Sequence, residues 1–420
     1  MKFVHAADLH LDSPLRGLAR YAGAPVDEMR LASRRACENL VELCIDEDAE
    51  LLLLAGDLYD GDWRDYSTGL FFSQQLSRLR EAGVRVVFVR GNHDAASQIT
   101  RHLRLPDNVR ELDVHTAESV CFEDLGIAVH GQGFATRAVT DNLAQAYPER
   151  IPQLLNIGLL HTSVNGRQGH ENYAPCALDT LKHKGYDYWA LGHVHAREVL
   201  HQAPWVVFPG NLQGRHARET GEKGATLVSY DAHGIQRVEH RALDVVRYAS
   251  LRVDVRQAAS FDAVLEAART GLLQLAAAAD RTTAVRLTLA GSSRAHGELH
   301  ARDAALLENV RALATDAGSG QLWIEKLLLE ARPLVSPLGA RPEAGALGEL
   351  LAYLQALRND DAALLELAQE ELSELRVRLP AELREGVDGL RLDDPELLRG
   401  ELDAVEQLLL GRLFGEETPA

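Results

Sequence analysis

The sequence predicts an α/β chain: a two-layered, helix-covered β structure, then a small α+β segment, then amphipathic helices. Three observations predict it. Five apolar runs in the first half each end in Asp, Asn or His: Phe3 to Ala7 before Asp8-Leu-His10, Leu51 to Ala55 before Gly56-Asp57, Val84 to Val89 before Gly91-Asn-His-Asp94, Ile157 to Leu160 before His161, and Tyr188 to Leu191 before Gly192-His-Val-His195. Helical segments separate the first three runs, the alternation of a parallel sheet. Beyond residue 341, leucines recur at three- and four-residue spacing, as amphipathic helices require.

Taken in order, a first strand over Lys2–Ala6 leads to Asp8, His10 and Asp12. A helix over Glu28–Asp46 has Leu31, Leu40, Val41 and Leu43 as its apolar face. The second strand leads to Gly56-Asp57-Leu-Tyr-Asp60, and a helix follows over Ser67–Ala82. Val84 to Val89 is rich in β-branched residues and reads as a buried strand. Gly91 permits a sharp turn after it. Asn92, His93 and Asp94 then stand at the carboxyl end of a strand, where open α/β sheets place their sites. Five parallel strands with such ends gather these side chains along one edge of a sheet. Short strands follow near Val109–Val114, Glu118–Phe122 and Ile127–His130, with a helix near Asp141–Ala146. Val206–Phe208 and Ala225–Ser229 read as a further antiparallel set.

After Arg241 the pattern changes. Leu251–Val255, Ala284–Leu289 and Gln321–Ala331 read as strands, and Phe261–Ala278 and Arg302–Ala317 as helices. The prolines after Ala331 mark a linker. The expected organisation is therefore a first domain over 1–243, a small α+β domain over 244–333, a linker over 334–342 and a helical region over 343–420.

The chain has 420 residues, too many for one ordinary core. Its net charge of −18 argues against a nucleic-acid partner only until its distribution is considered. Residues 341–420 carry 19 acidic and 8 basic side chains, a net of −11, which leaves −7 for the rest. Bound metal would offset part of that remainder. Cys37, Cys44, Cys121 and Cys176 form no CxxC pair, so zinc-knuckle and thioredoxin readings fail. Residues 1–12 lack the features of a signal peptide, and no apolar run reaches the length of a membrane span. Reduced thiols and a cytoplasmic location, with no membrane partner, are the expectation.

In an extended segment, residues i and i+2 share a face. Asp8 and His10 can thus share one target, and so can His193 and His195. Carboxylate, imidazole and amide oxygen together suit a divalent ion such as Mn²⁺, Fe²⁺ or Zn²⁺. Asp8, His10, Asp57, Asn92, His161, His193 and His195 are too many ligands for one tetrahedral ion. Two metals bridged by one carboxylate, about 3.5–4 Å apart, fit better. Singly, each residue has an ordinary explanation as a helix cap, a turn or a surface group; seven at strand ends together do not. The loop after these motifs carries Arg215, His216, Arg218 and Lys223, donors able to hold DNA phosphates or simply to be solvated. His102, His115, His130, His170, His183 and His201 fit no ligand pattern and read as surface or structural.

The order Asp8-x-His10, Gly56-Asp57-x-x-Asp60, Gly91-Asn92-His93-Asp94, His161, Gly192-His193-x-His195 resembles the calcineurin-like metallophosphoesterase superfamily over about residues 1–210. His5-Ala-Ala-Asp-Leu-His-Leu-Asp-Ser-Pro14 resembles its DNA-repair exonuclease branch, which includes SbcD-like and YhaO-type proteins. Phe208-Pro-Gly-Asn-Leu-Gln-Gly-Arg-His216 and Glu219-Thr-Gly-Glu-Lys-Gly224 look more YhaO-like. The resemblance implies a four-layer β-sandwich flanked by helices, followed by a capping domain. It implies one metal on Asp8, His10 and His195, a second on Asn92, His161 and His193, and Asp57 as their bridge. His93 would be the catalytic histidine, poised by Asp94, and Asp60 a supporting or turn residue. Two divalent ions are implied, Mn²⁺ foremost, with Fe²⁺, Zn²⁺ or Mg²⁺ as alternatives.

The activity implied is a metal-dependent DNA nuclease subunit, a 3′-to-5′ exonuclease with endonuclease activity. The alternatives are a small-molecule phosphodiesterase or phosphatase, and a non-catalytic metal-binding adaptor. Implied partners are DNA, a second copy of the chain, and a separate SbcC-like coiled-coil ATPase docked on the C-terminal helices. No GxxxxGK[ST] loop occurs, so ATP dependence would come from that separate subunit.

Overall fold

The structure, a computed structural model, describes residues 1–13, 26–60, 66–96, 105–164, 173–333, 346–378 and 391–414. The chain divides into two compact units, Met1–Ser250 with Ala279–Arg286 and Gln321–Glu325, and Leu251–Ala278 with Leu287–Gly320 and Lys326–Ala420.

The first unit holds two six-stranded sheets. In one, β1 (Lys2–Ala6), β2 (Leu51–Ala55), β3 (Arg85–Val89) and β4 (Val109–Glu111) run parallel. β11 (Gly224–Asp231) and β12 (Gly234–Ala242) extend it antiparallel beside β1. In the other, β6 (Ile127–Gly131), β7 (Leu155–His161), β8 (Tyr188–Gly192) and β10 (Trp205–Phe208) run parallel. Antiparallel edges close it, β5 (Glu118–Phe122) beside β6 and β9 (Glu198–Gln202) beside β10.

These segments become strands because each face has a core to enter. In β2, Leu51, Leu53 and Ala55 pack between the sheets, against Ile157, Leu159 and Tyr188. Leu52 and Leu54 point the other way, to Ala36, Leu40, Phe72 and Leu76 of α1 (Val26–Asp46) and α2 (Tyr66–Glu81). A strand covered on both faces shows no polar alternation, which is why these runs are continuously apolar. The outer face of the second sheet buries Trp189, Leu191 and Phe208 under Leu181 of α4 (Leu178–His183) and Ala144 of a 3₁₀ turn over Leu143–Ala146. The unit is thus a four-layer helix–sheet–sheet–helix sandwich.

Three expectations are corrected here. The five motif-bearing strands do not share one sheet edge: β1, β2 and β3 lie in one sheet, β7 and β8 in the other. Doubly buried parallel strands read alike whichever sheet they join. For the same reason Val206–Phe208 and Ala225–Ser229 are not one set but fall in different sheets. Leu31 is 45% exposed, and α1 buries Ala32, Ala36, Cys37, Leu40, Val41 and Cys44 instead. Cys37, Cys44 and Cys176 are buried free thiols, and Cys121 is exposed.

The three-stranded sheet β13 (Val246–Asp254), β14 (Thr282–Ser293), β15 (Leu322–Pro333) follows. In the second unit, α5 (Phe261–Ala278) packs on α7 (Asp303–Ala317), each burying a stripe at three- and four-residue spacing, such as Val264, Ala268 and Leu272. The short helix α6 (His296–Ala301) precedes α7. α8 (Ala346–Asn359), α9 (Asp361–Glu371) and α11 (Pro395–Phe414) share a leucine core of Leu354, Leu357, Leu364, Leu398 and Leu402, with α10 (Ser373–Arg378) after α9. Asp360 caps α9 by accepting N–H bonds from Ala362 and Ala363 at 3.0 and 3.1 Å. The expected linker over 334–342 lies outside the described residues, as do Pro380 and most of the break before α11. Among the described residues no helix is long and apolar enough to cross a membrane.

Candidate metal centre

The loops after β1, β2, β3, β7 and β8 meet at the carboxyl ends of their strands. Their backbones are tied first. Asp8 N–H donates to Gly56 O and His10 N–H to Asp57 O, both at 3.0 Å. These ties hold an uncommon conformation. Asp8, His10, Asp57 and His193 have positive φ values of 52°, 42°, 53° and 100°. Such geometry costs a non-glycine residue of order 1–3 kcal/mol and collects at functional sites. Four of the seven candidate ligands therefore sit in strained backbone that their surroundings enforce.

The side chains follow. Glu219 can only accept, so at 2.6 Å it fixes the proton of His195 on Nδ1 and turns the Nε2 lone pair inward. That Nε2 lies 3.3 Å from Nε2 of His10. Ala55 O likewise takes the Nδ1 proton of His161 at 2.9 Å, and the freed Nε2 faces Asn92 Oδ1 at 3.0 Å. Lone pairs facing one another at about 3–3.5 Å have the spacing of two ligands on one ion with bonds of about 2.0–2.1 Å. Asp57 stands between the two groups, its Oδ2 3.5 Å from His161 Nε2 and 3.9 Å from His10 Nε2. Asp8, His10 and His195 form one set with metal-ligand spacing, and Asp8, Asp57 and His161 form another. His193 joins through its backbone N–H, which donates to Asp8 Oδ2 at 2.9 Å, and its ring lies 5.3 Å from that of His161.

Electrostatics fit the same occupant. Burial, then the Asp57 charge, pushes the Asp8 carboxyl well above the usual range. The same two causes push Asp94 up to about 7. Burial holds His10, His161 and His195 below their ordinary value, which favours the neutral imidazole that a metal ligand requires. Crowded carboxylates among neutral imidazoles call for cations, and two divalent ions satisfy the donor set.

His93 stands beside this centre with its side chain 29% exposed. Its Nδ1 pairs with Asp60 Oδ1 at 2.8 Å. Burial alone would depress the imidazole, but the Asp60 bond and the charges of Asp57 and Asp60 outweigh it and raise its pKa. Burial acts the other way on Asp60 and would raise it, yet bonds from His93 and Ser13 hold it at about 2. The expected role of Asp94 is corrected here. Its carboxylate accepts N–H bonds from Leu58, Tyr59 and Gly91 at 2.9, 3.1 and 3.0 Å and so ties the loops. His93 and Asp94 are consecutive residues of the short helix α3 (Asn92–Ala96), and neighbours on a helix do not face each other.

Of the four expected phosphate donors, Lys223 is buried, its Nζ donating to His195 O at 2.8 Å, and is unavailable to DNA. Arg215 is half-buried against the site, whereas His216 and Arg218 remain towards solvent. Glu219 was not singled out from the sequence, although it lies in the Glu219-Thr-Gly-Glu-Lys run just after the ligands. Of the histidines read as non-ligands, His130 is structural, bonded to Ser119 and Asn156. His115 and His183 are exposed or partly so, and His102 and His170 lie outside the described residues.

No room is left for a side chain at two glycines. A Cβ on Gly91 would collide with the Asp57 carboxylate, and one on Gly192 with Ala55 O. Gly192→Ala should therefore lower stability by about 1–3 kcal/mol and weaken metal uptake by displacing His161. A thermal melt with a Mn²⁺ titration checks this, and wild-type values in both would contradict the packing.

Residues 1–197 match the calcineurin-like phosphoesterase family, and residues 248–332 match the middle domain of metallophosphoesterase YhaO. The chain is 35% identical over 270 residues to an uncharacterised metallophosphoesterase YhaO of Bacillus subtilis, covering 63% of this chain and 66% of that one. It is 26% identical over 287 residues to the DNA double-strand break repair protein Mre11 of Methanopyrus kandleri, covering 58% and 57%. The match thus spans under two thirds of either relative's length. A dimetal phosphatase structure from Danio rerio aligns at 13% identity with a TM-score of 0.35, over 58% of this chain and 98% of that one. With the signature residues gathered as described, residues 1–197 form a calcineurin-like phosphoesterase domain, and the segment after it is similar to the middle domain of YhaO.

Proposed function

We propose that the chain is a metal-dependent DNA nuclease subunit, a 3′-to-5′ exonuclease with endonuclease activity that acts in DNA repair. The observation that carries this reading is Asp57 standing between two inward-facing ligand sets, with the His93–Asp60 pair beside them. Two divalent ions, when bound, lower the pKa of a water to supply a nucleophile near neutral pH and neutralise charge growing on phosphorus. Carboxylate, imidazole and amide oxygen suit Mn²⁺, with Fe²⁺, Zn²⁺ or Mg²⁺ as alternatives. The chain's own residues do the rest. His93, whose pKa the Asp60 bond raises against burial, donates a proton to the leaving oxygen. Glu219 and Ala55 O aim the histidine rings. Similarity to a DNA double-strand break repair protein supports DNA as the substrate.

On this reading, the domain matched at 248–332 selects DNA shape, and the protein works as a homodimer in the cytoplasm. The C-terminal helices, with Tyr353, Leu375 and Val377 exposed, dock an SbcC-like coiled-coil ATPase. End-labelled duplex DNA incubated with Mn²⁺ or chelator, with and without that ATPase, tests this. Metal-dependent trimming from the 3′ end is expected. If the ATPase changes nothing, the partner is wrong. If bis-p-nitrophenyl phosphate is cleaved but DNA is untouched in every arm, a small-molecule phosphodiesterase replaces the nuclease.

A further inference from the structure

Arg215 stands beside the candidate ligands. Its backbone is pinned at both ends: the N–H donates to Glu219 Oε2 at 2.7 Å, and the carbonyl accepts from Tyr248 Oη at 3.4 Å. Its guanidinium is not. Nε is buried and has no hydrogen-bond partner. The carboxylates nearest to it stand off, Glu219 Oε1 3.9 Å from Nε and Asp60 Oδ1 4.0 Å from Nη1. Nη2 lies 3.4 Å from His195 Nδ1, but that nitrogen already spends its proton on Glu219 and is no acceptor. The fork therefore reaches the metal ligands with donors unmet. Arg215 also lines a small pocket with His10, Ser13, Ser33 and Gln213.

A buried guanidinium donor without a partner carries a desolvation cost. The cost is greater here, because the centre is built to receive cations and a fixed positive charge beside them is repelled. An anion lying between the arginine and the ions removes both costs. The planar fork matches the oxygens of a phosphoryl group, which it can bind in bidentate fashion.

We propose that Arg215 is a catalytic residue that grips a non-bridging oxygen of the scissile phosphoryl group, with Glu219 setting both its backbone and the metal ligand His195. This rests on reading the centre as a phosphoester-cleaving site, but not on DNA as the substrate. One carboxylate thus couples occupancy of the metal site to the placement of the phosphate donor. Because the backbone is pre-set, little ordering remains to be done when substrate arrives.

The test uses the full chain loaded with Mn²⁺, inorganic phosphate as the bound probe and bis-p-nitrophenyl phosphate as the substrate. Arg215→Ala should weaken phosphate binding by about 10- to 100-fold and lower kcat/KM comparably, with metal content unchanged. Arg215→Lys, which keeps the charge but not the fork, should fall between Arg215→Ala and wild type in both. Wild-type phosphate affinity in Arg215→Ala would overturn the proposal. So would loss of metal from both variants, which would make Arg215 a support for the ligands. Because the probes are phosphate and a small diester, failure to cut DNA leaves this result standing.

Discussion

His93→Ala should keep its full complement of metal and lose turnover by about 10²- to 10⁴-fold. The metal is kept because His93 belongs to neither ligand set: Nδ1 is committed to Asp60, and its ring meets His10 only edge-on, at 4.9 Å between centroids. Turnover falls because the partly exposed imidazole, its pKa raised against burial by Asp60, is the proposed proton donor. His93, His10 and Asp60 do lie within ligand spacing of one another, so an alternative role as a ligand has a definite signature. Elemental analysis of His93→Ala showing less metal than wild type would sink the proton-donor role. A companion variant reads the charge. A general acid must be protonated, so the rate falls as pH rises through its pKa. Asp60 raises that pKa. Asp60→Asn should therefore shift the basic limb of the pH–rate profile to lower pH.

Asp57→Ala should abolish the site. Its Oδ2 lies 3.5 Å from His161 Nε2 and 3.9 Å from His10 Nε2, and its Oδ1 accepts the backbone N–H of His93 at 2.9 Å. Removing it unlinks the two sets and releases the start of α3 together. Activity should fall by at least about 10³-fold, and bound metal should fall with it. The fold should survive. The Asp57 charge pushes the Asp8 and Asp94 carboxyls up, so its loss relieves a repulsion while it opens a gap. Metal analysis beside circular dichroism separates the outcomes: a folded Asp57→Ala chain with two ions per molecule would show that the carboxylate is not the bridge.

Much of this centre was legible in the primary structure. A strand buried on both faces must be apolar throughout, so β2 and β3 end abruptly where Asp57 and Asn92 begin. What could not be read was which sheet each strand joins, because periodicity carries no information about neighbours. Nor was the partner of His93 legible. Asp94 is adjacent in sequence, but α3 turns it away towards the amides of Leu58 and Tyr59, and Asp60 arrives from another loop. Glu219 escaped notice for a related reason. It stands 24 residues from the histidine it orients, and only the fold of the loop after β10 brings the two together. Lys223 looked like a phosphate donor because its charge is visible in the sequence and its burial is not.

The central claim is a two-metal centre organised around Asp57. Anomalous diffraction from crystals of the full chain soaked in Mn²⁺ tests it most directly. The account predicts two peaks about 3.5–4 Å apart with Asp57 between them, one beside His10 and His195, the other beside Asn92 and His161. A single peak, or two peaks away from Asp57, would contradict it.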